Sequence, residues 1–193
     1  MKGRTVGIMA ASLAALIGAT FAVAHVAGLR LNFTESAPSG LWRVTDSSPT
    51  GLKRGELVEV CPPAQPIISI MADRGYLGPG ECAPDSITAL LKPLAAVAGD
   101  TVTLSPGEPA QVNGAALPNT QAMPTLPAWP QGTYRVQAGE VWLFSTYSAG
   151  SFDSRYFGPV PVANIRGRAA PLLVNGDVAR MTRTDGGHND DRN

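Results

Sequence analysis

The sequence predicts a mostly β domain behind one N-terminal apolar helix. Three observations lead there. Glycine (21) and proline (17) are abundant while aromatic residues make up only 6%, which suits short strands joined by many turns better than a helical bundle. Val6 to Leu29 contains no Asp, Glu, Lys or Arg. Beyond it, apolar residues alternate in short runs between turn residues, as in Gly55 to Val60.

The apolar segment comes first. At about 1.5 Å per residue, a helix over Val6 to Leu29 spans a bilayer core of about 30 Å. Lys2 and Arg4 precede it, so the positive-inside rule leaves that flank in the cytoplasm and exports everything after Arg30. A retained anchor is favoured over a cleaved signal peptide, although Ala22-Val23-Ala24 also fits a small-residue cleavage site. The expected organisation is an anchor or signal segment over residues 1–30, an exported domain over 31–179 and a polar disordered tail over 180–193.

The exported part then reads in order. Pro38 and Gly40 interrupt any helix around Ser36, which places that serine in a turn or extended segment. Thr45 to Gly51 is a polar turn and Gly55 to Val60 a strand. Pro66 to Arg74 forms a short helix with Pro66 early and Gly75 at its end. Gly78 to Asp85 reads as a loop. Ile87 to Val97 is a strand whose Pro93 removes a ladder donor and calls for an edge or a bulge. Asp100 to Leu104 is a strand, and Val112-Asn113-Gly114-Ala115 a hairpin turn. A proline-rich loop covers Pro118 to Pro130. Strands follow at Thr133 to Val136 and Glu140 to Ser145, then a small-residue loop over Ser148 to Ser154, and one or two strands within Val160 to Leu173.

Composition excludes some functions. The formal net charge is zero, so no broad basic surface invites nucleic acid. Two cysteines without accompanying histidines supply too few ligands for a metal site, and no cofactor is expected. Cys61 and Cys82 in an exported domain are expected to pair, which would stabilise the fold by roughly 3 kcal/mol on the chain-entropy estimate; the alternative is two unpaired small core residues.

Chemistry concentrates in Thr34 to Arg43, TESAPSGLWR. A serine there needs a base before it attacks a carbonyl. Of the two histidines, His25 lies in the apolar segment and His188 in the polar tail, so neither suits a Ser-His-Asp triad. Of three lysines only Lys92 lies within an apolar run, ITALLKPLAAVAG. Burial there lowers a lysine pKa and makes it a candidate base. Acting near neutral pH requires a drop of about 3 units from a reference near 10.4, costing roughly 4 kcal/mol.

TESAPSGLWR, then LLKPLAAVAGD, then SFDSRYFGPV together resemble the type I signal peptidase family, and within it the conjugative-transfer, TraF-type branch. The resemblance covers roughly Asn32 to Leu173. It implies coiled antiparallel sheets around a small barrel, and a serine endopeptidase with Ser36 as nucleophile and Lys92 as general base. It matches Thr34 to a hydroxyl donor of the oxyanion hole, beside the alternative of an ordinary strand residue. It matches Ser151 to the serine that orients the lysine. Asp153 and Arg155 match an acid and a base that flank the site; Asp153 is expected to support activity and Arg155 to be structural. The chain departs from the commoner family pattern at Pro93 and Ala98. The implied substrates are exported precursor proteins such as pilin, with small residues before the cut. The lipid bilayer and the conjugative secretion machinery are the other implied partners, and cyclisation of the product is an extension of the same chemistry. The implied place is the bacterial inner membrane with a periplasmic catalytic domain, or the periplasm if the N-terminal segment is cleaved. The alternatives are a general housekeeping signal peptidase and a catalytically idle exported assembly module.

Overall fold

The computed structural model describes residues 2–45 and 51–182. The apolar segment is one helix, α1 (Lys2–Val26), beginning and ending a few residues earlier than expected. Its stretch Arg4–Val26 is long and apolar enough to cross a membrane, and no part of it is buried against the domain. Gly28 turns the chain out of the helix at φ +76°, where a Cβ would collide with the Val44 carbonyl; only glycine fits that combination.

The strands are β1 (Leu29–Asn32), β2 (Ser39–Thr45), β3 (Leu57–Val60), β4 (Pro79–Cys82), β5 (Leu90–Ala96), β6 (Thr101–Leu104), β7 (Gln111–Val112), β8 (Ala115–Ala116), β9 (Gly132–Arg135), β10 (Glu140–Leu143), β11 (Val160–Pro161) and β12 (Ile165–Asn175). Two short helices accompany them, α2 (Pro66–Asp73) and α3 (Ser154–Phe157). A seven-stranded antiparallel sheet runs β1-β2-β12-β3-β5-β10-β11, and a four-stranded one runs β8-β7-β6-β9. The mostly β, antiparallel expectation is met. The small barrel is not: among the described residues neither sheet closes on itself.

Local chemistry explains the elements. Pro66 opens α2 without losing a needed N–H, and Gly75 leaves it at φ +74°. Asn113 and Gly114 both take positive φ, the type I′ geometry that joins β7 to β8. The predicted loop over 78–85 contains β4, which bridges to Ile87 and brings Cys82 to Cys61; the two form a disulfide. Pro93 lies on an interior strand, between β3 and β10, rather than at an edge. The register of β5 against β10 slips beside it, from Trp142↔Ala96 to Leu143↔Leu94, so the bulge alternative is the one realised. The loop over 148–154 leads directly into α3, which sequence periodicity missed because one turn shows none.

Apolar faces meet in three clusters. The largest packs α2 residues Ile67, Ile68 and Met71 on Val58, Val60, Leu94, Leu143 and Phe157. The second gathers around Trp142, Phe144 and Val102, beneath the small sheet. The third joins Trp42, Leu57 and Met181. Met181 is fully buried, so the folded part extends past the expected boundary at 179. The remainder of the expected tail, 183–193 with His188, and most of the turn over Thr45 to Gly51 lie outside the described residues.

Candidate active site

Ser36 sits in the turn between β1 and β2. Asn32, the last residue of β1, builds that turn. Its Nδ2 donates to the carbonyls of Thr34 (3.2 Å), Ala37 (3.0 Å) and Pro38 (3.1 Å), while its Oδ1 accepts from the Thr34 N–H (3.1 Å) and hydroxyl (2.7 Å). Trp42 locks the far side by donating from Nε1 to the Pro38 carbonyl at 3.1 Å. The Ser36 and Thr34 hydroxyls are 3.1 Å apart. A threonine hydroxyl has one proton to give. Since that proton goes to Asn32, Ser36 is the donor in this pair.

Lys92 projects from the middle of β5, opposite Val58 of β3. The side chain is 2% exposed. Its Nζ donates to the Ser151 hydroxyl at 2.8 Å. Burial pushes the ammonium pKa down to about 8; Asp153 draws it up and Arg155 pushes it further down. Thr34, Ser36 and Lys92 all line one cleft of about 660 Å³, whose walls include Met71, Leu77 and Tyr156. Ser36 Oγ and Lys92 Nζ are not hydrogen-bonded to each other in this arrangement, Lys92 being engaged by Ser151 and Ser36 by Thr34.

Asp153 and Arg155 stand behind the cleft rather than in it. Both are fully buried. Arg155 grips Asp153 through Nε (2.8 Å) and Nη2 (2.9 Å), and its remaining donors reach the carbonyls of Asn119, Gln121, Ala149 and Ser145. Asp153 Oδ2 accepts the Ser145 N–H at 3.1 Å. The Ser145 hydroxyl in turn donates to the Ser36 carbonyl at 2.8 Å. A continuous chain of contacts therefore runs from the buried ion pair to the Ser36 turn.

The sequence profile described as signal peptidase, peptidase S26, matches residues 3–173. This chain belongs to the S26 signal peptidase family. Within it, the chain is similar to conjugal transfer proteins. It is 37% identical over 179 residues to the "Probable conjugal transfer protein TraF" of Sinorhizobium fredii, covering 90% of each chain. It is 34% identical over 180 residues to the "Plasmid transfer protein TraF" of Escherichia coli, covering 90% of this chain and 97% of that one. A signal peptidase I structure from Enterococcus faecalis aligns with 64% of this chain and 98% of its own at 16% identity, with a TM-score of 0.37.

Sequence reasoning for this S26 member did not find Asn32 or Ser145. Asn32 carried a usable signal, because an asparagine two residues before the start of a turn commonly bonds the backbone ahead of it. Ser145 carried none: it meets Ser36 across 109 residues of chain.

Proposed function

We propose that this chain is a membrane-anchored serine endopeptidase that processes exported precursor proteins for conjugative transfer, pilin precursors among them. The observation that carries the reading is Lys92: a lysine held without a full counter-charge in an apolar interior, depressed to about 8, on the same cleft as Ser36. A buried lysine of that pKa is partly neutral near pH 7 and accepts a proton.

Neutral Lys92 takes the proton of the Ser36 hydroxyl once substrate swings that hydroxyl from Thr34 towards Nζ. Ser36 Oγ attacks the scissile carbonyl. The tetrahedral oxyanion is met by the Ser36 N–H and by the Thr34 hydroxyl, which must first release Asn32. Donors of this kind contribute about 3–4 kcal/mol in the transition state. Collapse breaks the peptide C–N bond, the leaving amine takes the proton from Lys92, and an acyl-Ser36 ester remains. Lys92 then deprotonates a water that attacks the ester carbonyl; the C–Oγ bond breaks, Ser36 Oγ takes the proton back from Lys92, and the acid is released. A peptide amine held against the ester would replace that water and close the product into a ring, an advantage of up to about 7–11 kcal/mol for a well-placed nucleophile. Asp153 acts as a positioning residue, through Ser145 to the Ser36 turn and through its charge on Lys92.

The test is incubation of the full chain in membranes with candidate exported precursors, including the cognate pilin, and mass spectrometry of the products. Wild type is expected to release a fragment ending after small residues, and Ser36→Ala to release none while remaining folded. Cleavage by the folded Ser36→Ala variant would remove the assignment. A product lighter by one water than its linear counterpart would mark ring closure.

A further inference from the structure

The last described residues pack behind the Ser36 turn. Beyond β12, Val178–Met181 form a single 3₁₀ turn. Asp177 caps it by accepting the Ala179 N–H at 2.9 Å. Gly176 leads into it at φ +130°, where a Cβ would lie 2.5 Å from the Tyr147 hydroxyl, so a glycine is needed there. This turn is a surface strap with one anchor. Ala179, Arg180 and Thr182 are exposed, Val178 is half-buried and Met181 is fully buried.

Met181 belongs to the apolar cluster of Ala37, Trp42 and Leu57, against which Leu91 also packs. Ala37 follows Ser36 in the chain, and Leu91 precedes Lys92 on β5. The same cluster therefore supports the neighbours of both residues. Residues 145–147 add a polar link between strap and turn. The Ser145 hydroxyl donates to the Ser36 carbonyl at 2.8 Å. The Thr146 N–H donates to the Met181 carbonyl at 3.1 Å, and its hydroxyl to the Arg180 carbonyl at 2.5 Å. The Arg180 guanidinium stands 5.2 Å from the centre of the Tyr147 ring. Among the described residues that line the cleft, none belongs to the strap.

We propose that Val178–Met181 is a positioning strap for the reaction: Met181 fills the space behind the Ser36 turn, and residues 145–147 carry its position to the Ser36 backbone. The proposal rests on the reading of Ser36 as the nucleophile. Emptying a buried site leaves space that the neighbours fill only in part, so the turn loses its backing and Ser36 its aim. A misplacement of about 1 Å costs about 10²-fold in rate. The cleft walls Met71, Leu77 and Tyr156 lie outside the Met181 cluster. The strap therefore acts on kcat and leaves KM alone.

The test uses the full chain in detergent micelles with the pilin precursor as substrate. Met181→Ala is expected to lower kcat by about tenfold to 10²-fold, with KM within about twofold of wild type. Met181→Leu, which refills the space, is expected to restore most of the rate. Hydrogen exchange supplies a readout that needs no turnover. Met181→Ala is expected to speed exchange over residues 33–38 and 145–147 and to leave the small sheet of β6 and β9 as in wild type. A wild-type kcat in Met181→Ala, a loss carried by KM, or unchanged exchange over 33–38 overturns the strap. Thr146→Val removes the hydroxyl bond to Arg180 and leaves the apolar cluster filled, which keeps the test decisive if Met181→Ala does not fold. It is expected to lower kcat in the same direction, and a wild-type kcat there overturns the strap as well. Wild type and folded Ser36→Ala acting alike on the precursor overturns the reading of Ser36 and the strap with it. Cleavage by wild type but not by Ser36→Ala, with Met181→Ala unaffected, overturns the strap alone.

Discussion

Among the described residues Lys92 has a single hydrogen-bond partner, the Ser151 hydroxyl, and Asp153 reaches it only as a charge. Desolvation is the largest influence on its pKa, so its lowered basicity comes from the apolar walls around β5 more than from any one neighbour. The sign of the pH dependence follows. Only the neutral amine accepts the serine proton, and the neutral fraction grows about tenfold per pH unit below the pKa. The rate constant kcat/KM is expected to rise with pH and level off above about 8. Lys92→Arg keeps the charge and removes the base, since a guanidinium stays protonated; activity should fall to the level of Ser36→Ala at every pH. A pH profile that is flat between 6 and 9 (roughly two units below the pKa to one above), or turnover by the arginine variant, would assign the base elsewhere. The lysine was legible in the sequence because its neighbours are apolar. The hydroxyl that orients it was legible only by resemblance, since Ser151 lies 59 residues away along the chain.

At the scale of elements, the α3 turn organises two neighbouring segments. Asp153 caps it by accepting the Arg155 N–H at 3.2 Å, and Arg155 reaches back to the 119–121 and 145–149 segments. Breaking a buried pair from one side leaves an uncompensated charge, typically at 3–5 kcal/mol. Arg155→Met is therefore expected to lower unfolding stability by about that much, and Asp153→Asn/Arg155→Met together by less than the sum of the two single changes. Chemical denaturation of the four proteins measures the coupling; strict additivity would mean the pair acts as two unrelated residues. The disulfide is the second clamp. Its loop carries α2 and the cleft walls Met71 and Leu77. Cys61→Ser/Cys82→Ser should cost about 3 kcal/mol and raise KM more than it lowers kcat, because it loosens a wall and leaves Ser36 and Lys92 in place. A drop confined to kcat would contradict that division. The pairing followed from compartment and count, whereas β4, which delivers Cys82, did not: its residues PGEC have neither alternation nor β-branched side chains to announce a strand.

At the scale of the molecule, the order of elements sets where the chemistry happens. α1 leads within ten residues to Ser36, through β1 and the Asn32 turn, so the proposed nucleophile stands at most about 35 Å beyond the helix end. The helix was the most legible element, because an uncharged apolar run of that length rarely folds as anything but a helix. The open, two-sheet arrangement was not, because pairing such as β12 between β2 and β3 depends on contacts more than a hundred residues apart. A membrane tether raises the effective concentration of the site towards substrates held in the same bilayer, commonly by 10²-fold or more, and does nothing for a dissolved peptide. Two substrates therefore separate anchoring from chemistry. A chain starting at Ala27 is expected to cleave a short soluble peptide at close to the full-length rate. On a precursor inserted in liposomes its rate should fall by about 10²-fold. Equal losses on both substrates would mean that α1 supports the fold of the cleft, and equal retention on both would mean that the helix has no part in delivering substrate.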